Sequence, residues 1–369
     1  MKIIFLLSVF VCSYAASEND SIVLLHVFSR HGARTPEHKD VYPNDPHKLQ
    51  AFLPMGWGQL TDSGKLQAYN VGKFLRARYN SFLGDVFYPE IVLAQSTDFD
   101  RTKMTALLIL AGLFEPSPAQ TWKKDLAWLP IPVAYKEENL DYFLRRPNSY
   151  CPAYYEELQR VLNSQEVQNY MKSKENLLTY LSTHTGKSIT STSDVFGIFQ
   201  TLTAENTMNL PLPEWSKSVF PGEVGEIARK RYRLENSTPL LRKLNGGRSL
   251  QRVLENILAK TRNRLSAENR KIFLYSGHEN NIINILTSLG WDVSEFPNYS
   301  STVIFELHFL KETDEFAVKV LYSTEPGTIE EKQIKGCEVL CPLKKFVELT
   351  KNVIPRNYTA ECRSLISLD

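Results

Sequence analysis

The feature that most constrains this chain is an apolar run that ends in a charged loop. Residues 22–28 are nearly unbroken in apolar character, and Ser29-Arg30-His31-Gly32-Ala33-Arg34-Thr35-Pro36 follows at once. A short continuous apolar run marks a strand buried on both faces, the environment of a parallel sheet. The loop after it is pinned by Gly32 and Pro36, and loops at the carboxyl ends of strands form the ligand crevice of an open α/β sheet. Two guanidinium forks beside one imidazole suit a phosphate dianion and a nucleophile that attacks it. A solvated basic loop is the plainer reading. Five fixed residues in the order Arg-His-Gly-x-Arg-x-Pro arise by chance in roughly one chain in ten thousand of this length, which sets the plainer reading aside.

Other segments repeat the strand-then-helix pattern. Residues 61–79 read as a helix capped by Thr61 or Asp62, with Leu66, Tyr69, Phe74 and Leu75 on its apolar face. Residues 91–94 read as a strand before a helix over 101–114, and 271–275 as a strand before a helix over 279–289 that stops at Gly290. Late strands are expected over 303–309 and 315–322, as a hairpin around Lys311-Glu312-Thr313-Asp314. This alternation predicts an α/β fold with a central, mostly parallel sheet flanked by helices. Between residues 116 and 247 the pattern turns helical, clear strands are absent, and Pro130, Pro132, Pro211, Pro213 and Pro221 divide it into short pieces. The expected organisation is an α/β catalytic domain from 16–115 and 248–369, with 116–247 inserted as a mostly helical cap domain.

The balance of 43 basic against 41 acidic residues, a net charge of +2, excludes a nucleic-acid binder that works through bulk positive charge. Lys2, a short apolar stretch and Ser13-Tyr14-Ala15 form the pattern of a secretory signal over residues 1–15. The run is short for a membrane span and no second one follows, so a secreted, extracellular chain without a membrane anchor is expected. Removal of the signal takes Cys12 with it and leaves Cys151, Cys337, Cys341 and Cys362, which allow three pairings. Cys337 and Cys341 are close enough to close a small loop, leaving Cys151 to join Cys362. Sequons at Asn19, Asn236, Asn298 and Asn357 fit the same route.

Two further strand ends carry compatible groups. Gln95-Ser96-Thr97-Asp98-Phe99-Asp100-Arg101-Thr102 places Arg101 at a helix start, and Ser276-Gly277-His278-Glu279 does the same for His278 and Glu279. Helix N-termini present free N–H groups and a positive dipole end, so all three junctions favour an anion. Elsewhere the plain readings are preferred. His26 reads as a packed core residue, Arg229-Lys230-Arg231-Tyr232-Arg233 as a solvated helix face, and Trp122, Trp128 and Trp215 as core.

With these segments in view, the sequence resembles the histidine acid phosphatase family, which includes prostatic and lysosomal acid phosphatases, insect venom-type enzymes and histidine phytases. The resemblance spans nearly the whole mature chain and also covers Gly58-Gln59-Leu60-Thr61, Leu244-Asn245-Gly246-Gly247 and Val303-Ile304-Phe305-Glu306-Leu307. The four cysteines match family positions; those of a third family disulfide are missing. The resemblance implies a phosphoglycerate-mutase-like sheet, with His31 as the nucleophile that forms a phosphohistidine. It further implies Arg30, Arg34, Arg101 and His278 as phosphate ligands, a phosphomonoester substrate, a homodimer, and neither cofactor nor metal. Glu279 stands where most relatives carry the Asp that protonates the leaving group, and its carboxyl reaches one methylene further. Gln95 stands where relatives often carry Arg. The competing reading is a secreted, phosphatase-like protein, catalytically weakened, that captures a small ligand. An intracellular mutase-like enzyme shares the Arg-His-Gly loop but fits poorly with export and disulfides.

Overall fold

A computed structural model describes residues 22–292 and 294–368. The expected signal sequence, Cys12 and Asn19 lie outside the described residues. The apolar run becomes β1 (Ile22–Arg30), and α1 (Asp62–Leu83), β2 (Val92–Ser96) and α2 (Asp100–Leu113) follow. After β3 (Val133–Tyr135) comes a helical stretch: α3 (Pro152–Leu162), α4 (Gln165–Ser173), α5 (Glu175–Thr185), α6 (Thr192–Thr207), α7 (Gly222–Glu235) and α8 (Pro239–Leu244). The chain returns to the sheet through α9 (Gly246–Thr261), β4 (Ile272–Gly277) and α10 (Glu279–Ser288). It closes with the hairpin β5 (Thr302–Leu310) and β6 (Glu315–Ser323), then β7 (Glu330–Glu331), β8 (Leu340–Pro342), α11 (Leu343–Thr350) and α12 (Tyr358–Glu361).

The strands lie in the order β3-β2-β4-β1-β5-β6-β7, with β8 also on β6. The expected α/β fold is present. Its parallel part is β3-β2-β4-β1, and the strands beyond β1 are antiparallel. Alternate residues serve opposite faces. Leu25, Val27, Ile272 and Leu274 pack with Val71, Leu75, Ile109 and Leu110 of α1 and α2. Leu24, Phe28, Phe273 and Tyr275 pack with Leu250, Val253 and Ile257 of α9 and with Ile282 and Ile285 of α10. His26 belongs to the core as expected, stacked on Phe273 with ring centroids 4.7 Å apart, and burial together with Arg252 pushes its pKa down to about 3.

Some expectations need correction. Leu66 of α1 is exposed; the packed stripe is Gly64, Ala68, Val71, Leu75 and Tyr79, because small residues let α1 approach its neighbours. The stretch 116–247 is mostly helical, yet β3 within it adds a parallel strand to β2. Three residues are too few to show an alternation in sequence. Trp122 is exposed, whereas Trp215 packs beside Tyr42 in the apolar cluster of α5, α6 and α7. Disulfides join Cys151 to Cys362 and Cys337 to Cys341, as expected. Of the sequons, Asn298 and Asn357 are exposed. Asn236 is buried, and its Nδ2 donates to the carbonyl of Tyr232 (3.0 Å) and to Oδ1 of Asn284 (2.9 Å).

Asp45, on the loop after Pro36, and Glu205 of α6 bring two buried carboxyls together beside the Tyr42 hydroxyl. Burial pushes the pKa of both up, and the charge of Asp45 adds to the effect on Glu205. The folded protein therefore holds a proton that the unfolded chain has released, so stability falls as pH rises above the ordinary carboxyl range. Thermal melts from about pH 5 to about pH 8 should show a declining midpoint that Glu205→Gln flattens. An unchanged slope in that variant would remove the pair as the cause.

Candidate active site

Register brings the three strand ends to one level. Ser29 of β1 and Ser96 of β2 both pair with Ser276 of β4, so the residues that follow each strand leave the sheet side by side. Those residues are His31, Thr97 and His278. Glu279 opens α10, and Arg101 lies in the first turn of α2. The loop after β1 is seated on the first turn of α1. A Cβ on Gly32 would meet the carbonyl oxygen of Gly64 at 2.1 Å, and one on Gly64 would meet that of Ala33 at 1.9 Å. Thr61 caps this turn by accepting from the Gly64 N–H (3.1 Å), while its own N–H donates to Ala33 (3.0 Å).

His31 is buried, and its Nδ1 lies 2.8 Å from the carbonyl oxygen of Gly32. A carbonyl only accepts, so Nδ1 carries the proton and Nε2 of the neutral ring keeps its lone pair. Burial, reinforced by Arg101, Arg30, His278 and Arg34, holds this imidazole well below its usual pKa. It therefore stays neutral in acid. The ring of His278 stands nearly perpendicular to it, centroids 5.5 Å apart, with Nε2 3.1 Å from Oγ1 of Thr97. Burial and Arg101 hold His278 low as well.

The guanidinium groups divide into two sets. Arg34 and Arg101 line a cavity of about 370 Å³ together with His31, His278 and Glu279. Nη2 of Arg101 pairs with Oε1 of Glu37 at 2.8 Å, and its guanidinium lies over the Phe99 ring at 4.6 Å. Burial and then Arg34 pull the Arg101 pKa down to about 10, which still leaves it charged in acid. Burial opposes the charge of Arg34, but Tyr299, Glu37, Glu279 and Asp40 outweigh it and raise its pKa. Arg30 lies beside Glu279 and is not among the lining residues of this cavity. It donates from Nη1 to Pro297 (2.5 Å), lies over the Tyr299 ring (4.2 Å) and places Nε 3.5 Å from Oε2 of Glu279.

Glu279 is buried beneath the helical stretch. Its Oε1 accepts from the Tyr232 hydroxyl (2.8 Å) and from Nε2 of Gln200 (3.2 Å). Burial alone would raise its pKa, but Arg30, His278, Arg146 and the Tyr232 hydrogen bond outweigh burial and hold it well below the carboxylate range. The ligand-free site thus contains a carboxylate at this position. Gln200, Tyr232, Arg146 and Glu37 are site residues that sequence reasoning missed. The run 229–233 is no simple solvated face, because Tyr232 is buried and Arg231 lines the cavity. Gln95 sits opposite Tyr275 in the sheet and is not among the residues lining the cavity.

An imidazole with a free Nε2 in a cationic pocket at the carboxyl edge of a parallel sheet is built for phosphoryl transfer to histidine. Residues 21–323 match the histidine phosphatase superfamily (branch 2), and the chain belongs to that family as an acid phosphatase. It is 40% identical over 340 residues to the venom acid phosphatase Acph-1 of Apis mellifera, covering 92% of this chain and 87% of the relative. It is 30% identical over 349 residues to the lysosomal acid phosphatase of Homo sapiens, covering 93% and 80% respectively. The solved Hafnia alvei phytase in complex with tartrate shares the fold, with a TM-score of 0.69 at 16% identity over 94% of this chain and 99% of that one.

The contact between Gly32 and Gly64 is testable. Gly64→Ala must push the Ala33 carbonyl away, which should cost about 1–3 kcal/mol of stability and misplace His31. Denaturant melts and kcat/KM should fall together; full activity in a destabilised variant would break the link between the turn and the loop.

Proposed function

We propose that the chain is a secreted phosphatase that hydrolyses small phosphomonoesters in acid through a phosphohistidine on His31. One observation carries this reading: the Nδ1–H of His31 is committed to Gly32, which leaves Nε2 as a nucleophile on the wall of a cationic cavity. Arg34, Arg101 and His278 hold the phosphate oxygens, and Arg30 adds its charge from beside Glu279. As Nε2 bonds to phosphorus, the bond from phosphorus to the leaving oxygen breaks, and Glu279 passes a proton to that oxygen. The Gly32 carbonyl stabilises the positive charge left on the ring. Water then attacks phosphorus, the P–N bond breaks with its electron pair returning to Nε2, and Glu279 takes the proton released by water.

Glu279 is a carboxylate before substrate arrives, so its proton must enter with the substrate. A phosphate group in the cavity offsets the surrounding positive charge, which raises the proton affinity of the carboxylate, and an acidic medium supplies the proton. Activity should therefore decline as pH rises toward neutrality, while His31 needs no deprotonation in acid. Residues 116–247 act as the cap over this cavity and contribute Arg145, Arg146, Arg231 and Gln200 to its lining. The decisive assay uses an aryl phosphate at about pH 4–6. Wild type should turn over, and His31→Ala should lose roughly a thousandfold or more while keeping its thermal melt. Comparable turnover by that variant would overturn the assignment.

Secretion is supported by the signal-like start, the two disulfides and the venom relative. No helix among the described residues is long and apolar enough to cross a membrane. Expressed in insect cells, the chain should reach the medium without residues 1–15. Glycopeptide mass spectrometry should find sugar on Asn298 and Asn357 and none on Asn236, whose amide is committed inside the fold. A glycan on Asn236 of active protein would contradict this.

A further inference from the structure

We propose that Tyr232, assisted by Gln200, is a positioning residue that turns Glu279 so that only Oε2 exchanges a proton with the leaving group. This rests on Glu279 as the acid of the reaction. The inference starts from a proton count. The hydroxyl of Tyr232 has one proton and accepts from Nη2 of Arg146 at 2.9 Å. A guanidinium can only donate, so the hydroxyl proton is free to point the other way. Its remaining partner is Oε1 of Glu279, at 2.8 Å. Nε2 of Gln200 donates to the same oxygen at 3.2 Å. Two donors therefore converge on Oε1, and placing a proton there would set it against both.

Oε2 is held differently. Its neighbour is Nε of Arg30 at 3.5 Å, beyond a good hydrogen bond, and Arg30 commits Nη1 to Pro297. Oε2 is thus the oxygen that can carry a proton without breaking a short contact. In the transfer step that proton moves from Oε2 to the departing oxygen as the P–O bond breaks. In hydrolysis of the phosphohistidine, Oε2 takes it back from water.

The geometry also accounts for glutamate at this position. Glutamate has one more torsion than aspartate, and an unheld carboxyl would sample several orientations. Tyr232 is fully buried, with its ring edge-on to Phe196 and Phe296 at 5.6 Å each. Its hydroxyl is therefore a fixed point, delivered by α7 while Gln200 comes from α6. The acid stands on the sheet side and its orientation is set by the helical stretch.

The test uses the full-length secreted chain and two phosphate esters of different leaving ability. An alkyl phosphate needs its leaving oxygen protonated, whereas 2,4-dinitrophenyl phosphate releases an anion that is stable without a proton. We expect Tyr232→Phe to lower kcat/KM on the alkyl ester by at least roughly tenfold more than on the activated ester. Glu279→Gln should show the same selectivity more strongly, and the double variant should be no worse than Glu279→Gln alone. Equal losses on both esters in Tyr232→Phe, with Glu279→Gln still selective, would overturn the positioning role and leave the acid in place. Equal losses in Glu279→Gln would overturn the acid assignment and this proposal with it. If Tyr232→Phe loses its cooperative melt, Gln200→Met decides the matter by the same ratio, since it removes the second donor to Oε1.

Discussion

Guanidinium groups crowded around one buried imidazole repel each other, and much of the surrounding structure serves to hold them there. Arg34 and Arg101 are almost wholly out of water, and a buried charge without partners is far too costly to persist. Both are offset by the same nearby carboxylates, Glu37 and Glu279. Glu37 pairs with Arg101, the Phe99 ring lies under the same guanidinium, and Glu279 faces Arg30, whose other contacts are the Pro297 carbonyl and the Tyr299 ring. The compensation is incomplete on the cavity side. A bound phosphate supplies the missing negative charge, so the same imbalance that keeps His31 neutral also draws in the substrate.

Glu279 lies where the helical stretch packs against the sheet. Glu279 starts α10, against the sheet, while its hydrogen-bond partners come from α6 and α7. Further contacts link these regions. The Cys151–Cys362 disulfide joins the start of α3 to Cys362, and Asn236, at the end of α7, donates to Asn284 of α10. The second contact restricts movement of α7, which carries Tyr232, relative to α10, which carries Glu279. Such restriction matters because a displacement of about 1 Å at a reacting proton has a large effect on rate.

Most of the fold could be read along the chain because its signals are local. A buried parallel strand is an apolar run, and the break that ends it is marked by glycine, proline or a capping residue. The failures also have local causes. Leu66 falls off the packed face of α1 because glycine and alanine, which carry little weight in an apolar count, supply part of that face beside Val71, Leu75 and Tyr79. The run 229–233 was misread because its charges mask the one buried ring, Tyr232.

The sequence by itself determined the chemistry that the strand ends present. His31, Arg34, Arg101, His278 and Glu279 each sit within a few residues of a strand, so the backbone that ends the strand also places the side chain. Only the tertiary structure decided how those groups are held. Gln200 and Tyr232 reach Glu279 across 79 and 47 residues, and Arg30 places its guanidinium beside the same carboxyl. Such pairings depend on how the helices between residues 116 and 247 pack over the sheet, and packing leaves no mark at the spacing of neighbours in a chain.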